Sequence, residues 1–161
     1  MRGDLGIAVV FQQRARMVLD ARVTGTEPGE PWRILLLPQP EQICLVVRID
    51  ALGVHELGLY PLDEALRMVS AVLPRGPRAD IGDGTDADQV LGTAERTALV
   101  TVTRYTAEGS AEIAGDSTDL VLARRDGRLH VFKRDPVDRG RLVPSPPDSK
   151  NVRDTLASLL G

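Results

Sequence analysis

Apolar and polar positions along the chain change period several times, and each change marks an element. Residues 5–12 (LGIAVVFQ) form a short apolar run with β-branched and aromatic residues. Over 16–24 the pattern alternates, with Met17, Leu19, Ala21 and Val23 on one face and Arg16, Asp20 and Arg22 among those opposite. Both patterns predict strands. The turn formers of 25–31 (GTEPGEP) predict a loop. Residues 32–37 and 42–49 predict two further strands, joined where Pro38 and Pro40 cannot donate to a ladder, and 55–59 a short fifth. The period then becomes helical. Leu62, Ala65, Leu66, Val69, Val72 and Leu73 share one face behind Pro61, and Asp63 and Glu64 favour the positive end of the helix dipole before Pro74 closes the segment.

Residues 75–92 carry glycine, proline and aspartate with little apolar content, the composition of a mobile linker. The earlier order of elements then returns. Strands are predicted over 96–105, 110–114, 118–124 and 129–134, with an edge strand near 141–143. A helix follows within 147–160, where Val152, Leu156, Leu159 and Leu160 recur at helical spacing. An offset of 86 lays residues 33–37 over 119–123, Pro61 over Pro147, Leu66 over Val152 and Leu73 over Leu159. The expectation is an α+β protein of two similar antiparallel sheet-plus-helix units with pseudo-twofold symmetry. The units are 1–75 and 93–161, the linker is 76–92, and the whole is one compact domain.

With 42% hydrophobic and 27% charged residues and a mean hydropathy of −0.10, the chain has the composition of a protein with a buried core. A net charge of −3 supplies no positive field for nucleic acid. No apolar run reaches the ~20 residues of a membrane span, one cysteine cannot close an internal disulfide, and no export signal is expected, so the expected location is cytoplasmic. Positive charge comes from arginine with only two lysines, a bias expected of GC-rich coding that suggests an actinobacterial source.

Candidate chemistry is sparse. His55, His130 and Cys44 are the only imidazoles and thiol, Cys44 sits inside an apolar run, and no HxxxH or CxxC spacing occurs. The acidic residues of 80–88 lack the ligand order of a calcium loop, so neither metal nor cofactor is expected and the chain is expected not to be an enzyme. The most pronounced local pattern is 121–134 (VLARRDGRLHVFKR), a hairpin turning at Asp126-Gly127. Arginines on a solvent-facing strand protect an edge from pairing. Arginine with phenylalanine on an exposed face is equally an interface composition. On the second reading the partner-binding residues are Arg124, Arg125, Arg128, His130, Phe132 and Arg134.

At this hairpin the chain resembles the EspG family, chaperones of type VII (ESX) secretion that bind PPE proteins of PE/PPE pairs. The likeness rests on Leu120-Val121-Leu122-Ala123-Arg124-Arg125 with its turn, the strand containing Val131, and an amphipathic helix at 151–160. Residues 7–13 and 97–105 also look like family strands. The resemblance implies an EspG-like (PsbP-like) sheet-hairpin-helix unit occurring twice, and a cytosolic chaperone or adaptor that keeps a helical PE/PPE-type export substrate soluble. Family members run to well over 200 residues, with a helical segment before the first sheet and another between the repeats, whereas this chain starts almost directly in a strand. A small-molecule or anion-binding module and a structural homodimer remain the alternatives.

Overall fold

A computed structural model describes residues 17–79, 86–108, 111–145 and 152–160 of the 161-residue chain. The strand expected at 5–12, Pro147, and the acidic residues of 80–85 lie outside them. Among the described residues, eight strands form one antiparallel sheet: β1 (Met17–Thr24), β2 (Arg33–Gln39), β3 (Ile43–Ile49), β4 (His55–Pro61), β5 (Arg96–Glu108), β6 (Ala111–Arg125), β7 (Arg128–Arg134) and β8 (Leu142–Pro144). Their order across the sheet is β4-β3-β2-β1-β5-β6-β7-β8, so two meanders meet where β1 pairs with β5. Three helices are described: α1 (Leu62–Val72), α2 (Ala87–Thr93) and α3 (Val152–Leu160). The fold is α+β, dominated by the antiparallel sheet. No described helix is long and apolar enough to cross a membrane.

The period-2 pattern of β1 does what it predicts: Leu19, Ala21 and Val23 are buried on one face. Cross-strand partners share a face, and the same face therefore carries Ile34 and Leu36 of β2, Cys44 and Val46 of β3, Ala98, Val100 and Val102 of β5, Leu120 and Leu122 of β6, and Leu129 and Val131 of β7. α1 lays Ala65, Leu66, Val69 and Val72 on this surface, and α3 adds Leu156, which is fully buried. Pro61 precedes α1 and Asp63 and Glu64 occupy its first turn, as the sequence pattern requires. The second predicted hairpin turns at Asp126 (φ 53°) and Gly127 (φ 73°), left-handed positions that suit an Asp-Gly pair.

Two expectations need correction. The strands expected at 110–114 and 118–124 are one, β6, because the pairing with β5 continues past an irregularity between Thr103 and Tyr105 instead of breaking. Of the segment read as a mobile linker, residues 76–79 and 86–92 are built into the fold. The Leu129 N–H donates to the Pro77 carbonyl at 2.9 Å, the Ala79 N–H donates to the Leu129 carbonyl at 2.8 Å, and Arg78 reaches the Ser145 carbonyl at 3.1 Å. Gly76 belongs here for a steric reason, since its φ is 148° and a Cβ would sit 2.6 Å from the Gly127 carbonyl oxygen. Further on, α2 is a helix that composition hides. Asp86 caps it by accepting from the Asp88 N–H at 3.0 Å, and Ala87 and Val90 are buried on the sheet.

Candidate functional site

The face opposite α1 and α3 is divided into two apolar halves by a polar belt. On one half α2 packs Ala87 and Val90, with Leu91 and Ala94, over Val121, Ala123 and Phe132. On the other, Leu37 and Leu45 form a separate cluster with Val18, Leu35 and Val47, and no described helix lies over it. A groove of about 700 Å³ runs over this second half. Its floor is Val18, Leu35, Leu37, Leu45, Val47 and Leu57, and Asp20, Arg22, Arg33, His55, Thr101 and Tyr105 line it as well. The groove exists because β2 and β3 are apolar on both faces: Ile34, Leu36, Cys44 and Val46 look toward α1 and α3, while Leu35, Leu37, Leu45 and Val47 look away.

The belt is a run of charge-assisted bonds across the middle strands. Arg33 forks onto Asp20, Nε to Oδ1 at 3.0 Å and Nη2 to Oδ2 at 2.8 Å, and these bonds raise the guanidinium pKa above its ordinary value. Arg22 approaches the same carboxylate at 3.5 Å. Thr101 donates to Asp119 Oδ1 at 2.8 Å, and Arg134 pairs with the other oxygen of Asp119. The arrangement therefore offers an apolar floor with a satisfied polar wall, the surface chemistry of a binding groove. Cys44 lies under the other face, fully buried, and burial pushes its thiol up to about 12, so it is a neutral packing group.

The six residues singled out on the 124–134 hairpin do not converge. Phe132 is fully buried beneath α2 and presents no surface to a partner, which corrects its reading as an interface residue: it faces the side of the sheet on which α2 packs. Arg124 points to the α1/α3 face and pairs with Glu95 at 2.9 Å. Arg134 is held by Asp119 and donates to the Arg139 carbonyl at 3.0 Å. Arg125, Arg128 and His130 flank a shallow depression of about 440 Å³ with Ala79 and Asp126. His130 is half-buried and its ring lies nearly parallel to Phe132, 6.3 Å away. Burial, then the Arg125 charge, lower its pKa, opposed by Asp126. Two of the hairpin's cations, Arg124 and Arg134, are thus occupied within the chain.

The groove residues were missed although the sequence carried their signal. ILLL in β2 and CLVV in β3 are continuous apolar runs, and a strand apolar on both faces needs both faces covered. Comparison with family models and with curated proteins finds no match.

Proposed function

We propose that the protein is a non-catalytic chaperone or adaptor that covers an apolar helix of a partner protein with the groove half of its sheet. The observation that carries this reading is the asymmetry of one sheet face. One apolar half is covered by α2 of the same chain, and the neighbouring half, equally apolar at Leu35, Leu37, Leu45 and Val47, has no described helix on it. A helix laid across that half would bury the same kind of surface that α2 buries, and the Asp20–Arg33 belt would set its orientation through charge. The resemblance to EspG chaperones makes a helical PE/PPE-type export substrate the proposed partner.

The same proposal takes the fold as a tandem repeat of an EspG-like unit. The buried positions support this. Leu19, Ala21 and Val23 have counterparts 79 positions later in Ala98, Val100 and Val102. Ile34 and Leu36 match Leu120 and Leu122 at 86, Cys44 and Val46 match Leu129 and Val131 at 85, and Val69 matches Leu156 at 87.

The test is co-expression with a helical export substrate and capture of the complex. Leu45→Glu and Val47→Glu should abolish capture while Arg125→Glu with Arg128→Glu leaves it intact. Capture that survives both groove variants in folded protein removes the groove from the proposal. A second reading, an apolar small molecule in the same groove, is favoured by its volume of about 700 Å³. Native mass spectrometry of the purified chain separates the two, since only that reading predicts a bound small mass.

A further inference from the structure

Among the described residues, the large exposed hydrophobic side chains are concentrated on the hairpin that ends the sheet. Of the six large hydrophobic residues that stand out to solvent among the described residues, four lie on the β3–β4 hairpin: Ile43 (38% exposed), Leu52 (89%), Val54 (55%) and Leu59 (47%). β4 is the end strand of the sheet, and among the described residues nothing pairs with its outer side. Natural edges are usually blunted by brevity, proline, lysine or a bulge. The opposite edge, β8, is blunted in this way, being three residues long and ending in Pro144. β4 is seven residues long, pairs with β3 in unbroken register from His55 to Pro61, and carries no lysine; its proline is at the terminal position.

The ladder phase shows what that edge offers. Asp50 donates its N–H to the Val54 carbonyl at 3.2 Å, so the hydrogen-bonded pairs of the hairpin fall at every second residue beyond it. Glu56, Gly58 and Tyr60 therefore spend their backbone groups on β3, and His55, Leu57 and Leu59 point theirs off the sheet. We infer that this edge pairs with β4 of a second copy of the chain, antiparallel and about a twofold axis at Gly58. In that register Leu57 of each copy stands opposite Leu59 of the other and exchanges both backbone bonds with it. The two leucines lie on the groove face, where they form an apolar cross-strand pair. Glu56 stands opposite Tyr60 on the other face.

Gly58 suits the axis. The Tyr60 ring already lies over it, within 2.6 Å of where a Cβ would be, so the closest approach of the two strands carries no side chain of its own. Because β8, the other edge of the described sheet, is short and ends in Pro144, an isologous pairing through β4 closes as a dimer and does not propagate into a fibre. The joined sheet sets the two grooves side by side across the Leu57–Leu59 seam, independently of what either groove binds.

The experiment is sedimentation equilibrium of the full chain, with a cross-link for the register. The wild-type chain should be dimeric at micromolar concentration, and Leu59→Lys, at a half-exposed position the monomer tolerates, should raise the dissociation constant at least about tenfold. Residues 56 and 60 of opposite copies form a non-hydrogen-bonded pair, whose Cα separation of about 4.5 Å a disulfide can bridge. A mixture of Glu56→Cys and Tyr60→Cys chains should therefore oxidise to a linked dimer, and neither variant alone should. A wild-type monomer at about 100 μM, a dimer indifferent to Leu59→Lys, or cross-linking as strong in a single variant as in the mixture would each overturn the inference.

Discussion

Replacing Phe132 with alanine discriminates most sharply between a hairpin that meets a partner and a hairpin that belongs to the core. The ring is fully buried and packs with Val121 and Ala123 of the sheet under Ala87 and Val90 of α2. A buried phenyl removes about 150–250 Å² from water, and its truncation combines lost transfer energy with an unfilled cavity, so a cost of ~3 to 5 kcal/mol is expected. At a urea slope of about 2 kcal/mol/M the unfolding midpoint would fall by roughly 1.5 to 2.5 M. The loss should be shared by Val90→Ala to a smaller degree, because the same contact is thinned from the helix side. Far-UV circular dichroism across a urea series reads both. A Phe132→Ala protein with the wild-type midpoint would refute the packing of α2 on the sheet, and with it the covered half against which the groove half is defined.

Two further outcomes follow from the buried thiol and the half-buried imidazole. Cys44 should resist maleimide labelling in the native chain at pH 8, because a pKa near 12 leaves almost no thiolate, and should label rapidly once the chain is unfolded; rapid native labelling would contradict its place between sheet and helices. The folded state lowers the pKa of His130, so it favours the neutral ring: the associated stability is complete above the ordinary value of 6.5 and is lost as pH falls through the lower folded-state value. His130→Gln should therefore flatten the decline in denaturation midpoint below pH 6.5, and a wild-type-like decline in the variant would assign the acid sensitivity to other groups.

Local pattern alone determined most of the elements. Alternation placed Leu19, Ala21 and Val23 on one face, helical spacing placed Ala65, Leu66 and Val69 on another, and Asp-Gly marked the β6–β7 turn, because period and turn chemistry are properties of adjacent residues. Leu66 and Leu156 are buried as their helix faces require. Tertiary structure decided the rest. Whether Phe132 faces solvent or core depends on which side of β7 is covered, and the cover is α2, a seven-residue helix with Gly92 inside it that forms where the sheet buries Ala87 and Val90. Arg124 and Arg134 read as available charge in one dimension. Their carboxylate partners, Glu95 and Asp119, come from 29 and 15 residues away in the chain, and only strand register brings them within reach. The groove was present in the sequence as two runs apolar on both faces, yet those runs state only that two covers are needed. Which face α1 and α3 take, and which is left to the groove, follows from the order of strands across the sheet, a long-range property that no window of neighbouring residues contains.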